Sequence, residues 1–149
     1  MPLADKFKKL ADNQPILALD LKAWVKHVNG LYKDVQKWLS EHSKNNYVTF
    51  NSRKVGLSEA NVGDYEIDSL ELILVGGQQV VFKPVEMNML GAIGRVDLYL
   101  PGNNFHKAML LLKGTGDKKP QWELLKSLDD KPQSFDKQAL EALFVEWID

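Results

Sequence analysis

The stretch that decides the fold is residues 91–102, which read GAIGRVDLYLPG. Glycines loosen the backbone at its start, and a Pro-Gly turn closes it at its end. Between them the apolar and polar residues alternate, with Val96, Leu98 and Leu100 set against Arg95, Asp97 and Tyr99. Successive side chains of a strand point to opposite faces. The pattern therefore predicts a strand with one apolar face and one face that carries arginine, aspartate and tyrosine.

This strand is expected to form a hairpin with residues 106–112, across a turn at residues 101–104. In that hairpin Tyr99 faces His106, so the histidine joins the polar face. The sequence thus predicts a candidate ligand site formed by Arg95, Asp97, Tyr99 and His106. The arginine favours an anionic ligand, and aspartate and histidine within hydrogen-bonding distance would exchange a proton.

A structural interpretation of the same residues stays open. Arg95 would pair with Asp97 or with a neighbouring acid and serve only to brace the sheet. No catalytic residue is assigned on either interpretation.

The region before the sheet is predicted to be helical. Residues 20–43 carry a wide apolar stripe at spacings of three and four, which predicts a long amphipathic helix capped by Asp20. Leu3, Phe7 and Leu10 recur at helical spacing, so residues 1–14 are expected to form a short helical arm that ends before Pro15 and docks on the domain's own core. The stripe nearly follows a heptad, a pattern that also suits pairing with another helix.

The region 47–126 is predicted to be an antiparallel sheet of about six strands with short connections. Residues 52–63 are expected to be a loop, and a change of phase predicts a bulge near Ser69. Gly76 and Gly77 predict a tight turn, and Pro84 predicts the end of a strand or an edge position. The run 109–112 is apolar on both faces, which predicts a central strand covered on both sides.

The chain is predicted to end in a short helix over residues 136–148 with Asp136 as its N-cap. The expected fold class is α+β. A long N-terminal amphipathic helix packs on an antiparallel meander of about six strands, and a short C-terminal helix follows. The 149 residues are expected to form a single domain, 1–149.

Composition narrows the classes of function. A formal net charge of −1 disfavours general nucleic-acid binding, which needs a surplus of positive charge. The sequence has no cysteine, which fits a reducing compartment and excludes thiolate chemistry. The expected location is cytoplasmic, since the N-terminus lacks a signal-peptide pattern and no apolar run has the length of a bilayer span. No membrane partner is expected.

Other candidate sites are weak in the sequence. Asp64, Glu66 and Asp68 alternate onto one face, where ordinary solvent exposure explains them. His27 and His42 are too far apart to form a local metal site. Gly91 and Gly94 do not precede a helix, so they do not form a phosphate-binding loop. No metal and no cofactor are predicted.

The sequence therefore favours a small binding or adaptor domain without catalytic activity. Its expected partner is another protein or a second copy of the chain, as a homodimer. The alternative is a small-ligand-binding protein or enzyme that uses the Arg95, Asp97 and Tyr99 face for an anionic ligand.

Overall fold

The fold is built on an antiparallel sheet whose strands follow one another in chain order. The computed structural model describes residues 3–60, 62–89, 92–114 and 119–148, without the side chains of 8–20, 88 and 89. Within these ranges seven strands form one sheet in the order β1 to β7. They are β1 Val48–Glu59, β2 Gly63–Leu74, β3 Gln79–Met89, β4 Ala92–Tyr99, β5 Lys107–Lys113, β6 Gln121–Leu125 and β7 Gln133–Ser134. The predicted α+β class with an antiparallel meander is confirmed, with one strand more than expected.

Three helices accompany the sheet in the described part of the chain: α1 Leu3–Trp38, α2 Ser40–Lys44 and α3 Lys137–Trp147. The predicted cap of α3 is confirmed, because the Asp136 carboxylate accepts a hydrogen bond from the Ala139 amide at 2.8 Å. A carboxylate at this position satisfies an amide that has no partner within the helix.

The predicted start of the first long helix near residue 20 is wrong. Helix α1 begins at Leu3 and runs through Pro15, so Asp20 lies inside it and residues 1–14 are not a separate arm. Proline removes only one amide donor, and the residues after it are good helix formers such as leucine and alanine. The predicted end at residue 43 falls in α2, which follows a break at Leu39.

The expected docking of the N-terminal arm on the core is wrong for its first two apolar residues. Leu3 and Phe7 are 64% and 60% exposed. The third residue of that set, Leu10, lies outside the described side chains.

Residues 52–63, expected to be a loop, are mostly strand. β1 continues to Glu59 and pairs with β2 in unbroken register from Val48 opposite Leu74 to Glu59 opposite Gly63. The sequence signal is faint because residues 51–54 are exposed on both faces of β1, and beyond them only Val55, Leu57 and Glu59 are half-buried. Polar and charged residues on an edge strand prevent it from pairing with the strands of other molecules.

The bulge predicted near Ser69 is also wrong, although the change of phase is real. Ile67 is buried on one side of that point and Leu70 on the other, while the pairing with β1 stays regular. The pairing of β2 with β3 covers only Leu70–Ile73. Before Leu70, β2 pairs with β1 but not with β3, so the β1–β2 hairpin separates there from the rest of the sheet. The face of β2 that is buried changes at the same point.

The irregularity of the sheet lies in β3 instead. Strand β3 runs through Pro84, which therefore does not end it, and the register with β4 shifts between Pro84 and Glu86. Pro84 lies past the last β2–β3 pair and beside the bulge. Both are places where a residue without an amide proton is tolerated.

Glu59 ties the separated hairpin back to β3. Its carboxylate accepts hydrogen bonds from the Tyr65 hydroxyl and, at 3.1 Å, from the Met87 amide. The Gly76–Gly77 turn is confirmed, since both glycines have positive φ angles of 95° and 97°, which favour glycine in a tight hairpin.

The core lies between the sheet and the helices. We call the sheet face against α1 the inner face. It is formed by Leu70, Leu72, Val80, Phe82, Val96, Leu98, Leu110, Leu112 and Leu124, all buried. On α1 the Trp24 ring is fully buried and packs beside Trp122 at 5.9 Å between ring centroids. A Cβ placed on Gly94 would lie 2.3 Å from the Trp24 ring, so this glycine lets the helix approach the sheet.

The opposite face of the sheet, here called the outer face, is less covered. Strand β5 is central, as expected, and its Leu110 and Leu112 are buried on the inner face. Met109 and Leu111 on the outer face are only half-buried, so the expected cover on both sides is wrong. The outer face therefore presents apolar surface in the middle of the sheet.

Tyr32 anchors α1 to two strands, and Tyr32→Phe is expected to cost about 1–2 kcal/mol. Its hydroxyl donates to the Asp68 carbonyl at 2.8 Å, and a phenylalanine would leave that carbonyl without this partner. Burial raises the pKa of Tyr32 well above its ordinary value. Above about pH 10 the unfolded chain loses the phenolic proton of Tyr32, whereas the folded protein keeps it. The free energy of unfolding should therefore fall as the pH rises past about 10.

Urea unfolding of both proteins at about pH 7 and about pH 10.5 tests this expectation. The Tyr32→Phe variant should be less stable at neutral pH and should lose less stability between the two conditions. Equal losses in the two proteins would show that Tyr32 does not contribute to the alkaline decline.

Candidate functional site

The outer face of the sheet carries a cleft of about 480 Å³. Strands β3 to β6 supply its walls, and the segment after β6 supplies one rim. The lining residues are Lys83, Arg95, Asp97, Leu98, Tyr99, Lys107, Ala108, Met109, Leu125, Lys126, Ser127 and Leu128. Three of the four residues predicted as a ligand site, Arg95, Asp97 and Tyr99, thus lie together in one concave surface.

His106 does not join them, because the predicted register of the hairpin is off by one residue. Tyr99 pairs with Lys107, not with His106. The His106 ring stacks on Trp147 of α3, with 5.7 Å between ring centroids and 29° between planes. The histidine therefore lies on the inner face, away from the cleft.

The shift in register follows from the turn. The Asn103 amide donates to the Leu100 carbonyl at 3.0 Å, and Gly102 has a φ of 81°. The Asn103 side-chain oxygen then accepts from the amides of Phe105 and His106 at 2.8 and 3.2 Å. This asparagine cap adds one residue to the connection beyond the expected four, and a one-residue slip moves every later side chain to the other face.

Arg95 and Asp97 form a two-pronged ion pair within β4. The Arg95 Nε and Nη2 groups donate to the two Asp97 oxygens at 2.7 and 3.1 Å. The hydrogen bonds to Asp97 raise the pKa of Arg95, so its charge is fixed. Both Asp97 oxygens are occupied, and the histidine that would exchange a proton with them lies on the other face. The arrangement does not form the expected acid–base pair.

The alternation of β4 alone did not predict three lysines around this ion pair. Lys83 on β3 is opposite Asp97, Lys107 on β5 is opposite Tyr99, and Lys126 follows β6. Lys126 pairs with Glu146 at 2.8 Å, whereas no described ion pair includes Lys83 or Lys107. Alternation in β3 and β5 would have placed Lys83 and Lys107 on the outer face once the register was known.

The cleft is therefore cationic and partly apolar. Its lining includes the cationic residues Lys83, Arg95, Lys107 and Lys126. Arg95 pairs with Asp97 and Lys126 with Glu146, so the excess of positive charge comes from Lys83 and Lys107. Met109 and Leu125 lie half-buried among them, and Leu128 at the rim is 85% exposed. A local excess of positive charge on a chain with a net charge of −1 favours an anionic group at this place.

A second groove, of about 680 Å³, lies where the end of α1 and the start of β1 meet α3. Leu39, Val48, Leu74, Phe144 and Ile148 contribute its apolar walls. It holds no cluster of cationic residues, and its lining charges are Glu41 and Glu141, with His42 beside them. Its chemistry differs from that of the cleft.

The acidic residues of β2 lie on an exposed strand face: Asp64 and Glu66 are exposed, and Asp68 is half-buried. Asp68 pairs with Lys54 at 3.3 Å across the β1–β2 hairpin. Across the described residues, no three histidine, aspartate or glutamate side chains gather as a metal site would require.

Comparison with known proteins adds no relative: no family model, curated protein or solved structure matches the chain. Among the helices in the described ranges, none is both long enough and apolar enough to cross a membrane.

Proposed function

We propose that this chain is a non-enzymatic binding domain whose outer-face cleft takes acidic side chains from a protein partner. The observation that carries the proposal is a pair of exposed lysines, Lys83 and Lys107, in no described ion pair, beside the Arg95–Asp97 pair in a single cleft. Lysine and arginine side chains bind carboxylates through charge-assisted hydrogen bonds, and the apolar residues among them suit an aliphatic neighbour in the partner.

The shape of the cleft favours a partner surface over an enclosed metabolite. Lys83, Lys107 and Lys126 are exposed, so the cations sit at the rim rather than in a closed pocket. Rim charges of this kind mainly set the rate and the specificity of association. A small anionic ligand shares the same chemistry and is the alternative occupant.

The proposal that the domain is not an enzyme rests on the state of Asp97. Arg95 donates to both oxygens of this carboxylate, and the histidine expected to exchange a proton with it lies on the inner face, so no acid–base pair is formed. Self-association and a cytoplasmic location are also part of the proposal. The sequence without cysteine fits that compartment.

Replacing both Arg95 and Asp97 with threonine is expected to change the stability little and to weaken binding. Removing both partners leaves neither charge unpaired, and threonine suits a strand, so we expect a change of about 0–1 kcal/mol. Circular dichroism during urea unfolding gives the stability. Titration calorimetry gives the binding, with an oligoglutamate peptide as one ligand and citrate as the other.

The two ligands separate the two occupants. Binding of the peptide but not of citrate supports a protein partner, and tight binding of citrate alone overturns that choice in favour of a small anion. A folded double variant that binds both ligands as the wild type does would leave Arg95 and Asp97 with only a structural role.

A further inference from the structure

The apolar stripe of α1 has a regular position in the heptad. With Leu21, Val28 and Val35 at position a, every buried side chain among those described on α1 falls at a, d or e. These side chains are Trp24, Val28, Leu31, Tyr32, Val35 and Leu39, the last just past the end of the helix. In this half of the helix the stripe packs on the inner face of the sheet.

The same heptad continues through the first half of α1. The pair Leu-Ala recurs every seven residues, at 3–4, 10–11 and 17–18, which are positions d and e. Phe7 and Gln14 occupy position a between them, and Pro15 falls at position b, off the stripe. The stripe that meets the sheet after Leu21 therefore extends over residues 3–18 in the sequence.

At its start this extension is uncovered. Leu3 and Phe7 lie at positions d and a and are 64% and 60% exposed. Residues 3–20 form about 27 Å of helix, and an isolated helix of this length is marginal in water, more so with a proline inside. Burial of the apolar stripe against another surface would stabilise this part of the helix.

We propose that the chain forms a homodimer in which residues 3–21 of two copies pair as an antiparallel coiled coil. The proposal rests on the self-association included in the proposed function but not on the cleft. Knobs at a and d of one helix fit between residues of the other, as in other coiled coils.

Charge decides the direction of the two helices. Position g holds Lys6, Asn13 and Asp20. When the helices run antiparallel with residue 7 level with residue 17, Lys6 lies beside Asp20 of the partner subunit at both ends of the pair. In a parallel pair g positions face e positions, so Lys6 would meet alanine and gain nothing.

Alanines reinforce this choice. Position e of the paired segment is alanine at 4, 11 and 18, and in the antiparallel pair position 4 faces position 18 while position 11 faces its own copy. Small residues on that flank allow the two backbones to approach closely. Position g then supplies the charges on the other flank.

Light scattering after size exclusion tests the dimer. The wild type should be dimeric, and Phe7→Asp should be monomeric with its sheet domain still folded, as cooperative urea unfolding shows. Val145→Asp is the matched control, since Val145 is a large apolar residue, 81% exposed, on α3. A monomeric wild type, or a dimer lost in Val145→Asp and kept in Phe7→Asp, would overturn the proposal.

The charge pairs and the direction have their own tests. Lys6→Asp and Asp20→Lys should each raise the dissociation constant at least tenfold, and the double variant should recover most of the loss. Because the chain has no cysteine, single cysteines report proximity cleanly. Ala11→Cys should cross-link to itself, whereas Ala4→Cys should cross-link only to Ala18→Cys.

A self-linked Ala4→Cys dimer would contradict the antiparallel arrangement. A monomeric wild type that binds vesicles of anionic phospholipid through Phe7 would assign the stripe to a membrane surface instead. The Phe7→Asp monomer should still bind oligoglutamate, so failure of the dimer and failure of the cleft give different results.

Discussion

Gly94→Val is expected to destabilise the protein by about 3 kcal/mol, the upper end of the usual cost of overpacking a core. An added Cβ would lie 2.3, 2.5 and 2.7 Å from three atoms of the Trp24 ring. That ring is 0% exposed and lies against Trp122, so it has little room to move aside. The cost comes from the close approach of helix and sheet rather than from an unusual backbone angle.

Gly56→Val is the matched control for this variant. Gly56 also lies within a strand, and a Cβ placed there meets nothing within 4 Å. Valine suits strands better than glycine, so the control should be neutral or slightly stabilising. Urea unfolding measures both variants, and equal effects at the two positions would show that the Trp24–Gly94 contact is not tight.

A double-mutant cycle isolates the contact. Gly94→Ala with Trp24→Leu should cost less than the sum of the two single changes, because the smaller side chain gives the new methyl group room. Additive costs would contradict a direct clash.

Trp24→Ala is expected to cost about 3–5 kcal/mol, as the loss of a large buried aromatic side chain usually does. Trp24 is fully buried, whereas Trp38 is half-buried against Phe135 at 5.6 Å between ring centroids. Trp38→Ala should therefore cost less than Trp24→Ala. Denaturant unfolding with similar slopes for both variants checks the order, and a larger cost for Trp38→Ala would contradict the packing described.

The strands with strong alternation were predictable from the sequence. β4 shows the clean period of two that one buried face requires, and its outer residues Arg95, Asp97 and Tyr99 do share a cleft. The part of β1 after Phe50 was not predicted, because residues 51–54 are exposed and carry no alternation of apolar and polar residues. Alternation in a sequence arises from burial of one face, so a strand segment that buries neither face has no such pattern.

The position of His106 could not be predicted because it depends on one hydrogen-bonded turn. The Asn103 side chain accepts from two amides and lengthens the connection by a residue, which moves the histidine to the inner face. The place of Lys107 in the cleft depends on the same register. The start of α1 could not be predicted from Pro15, because the tendency of the surrounding residues to form helix outweighs the loss of one amide donor.

The most direct test of the cationic cleft is an amide chemical-shift titration of the labelled wild-type protein with an oligoglutamate peptide. We expect saturable shifts at Lys83, Arg95, Asp97, Tyr99 and Lys107. They should disappear in the Lys83→Gln, Lys107→Gln double variant and persist in Lys33→Gln, which removes an exposed lysine on α1. Shifts spread evenly over surface lysines, or shifts unchanged in the double variant, would contradict the cleft as the binding site.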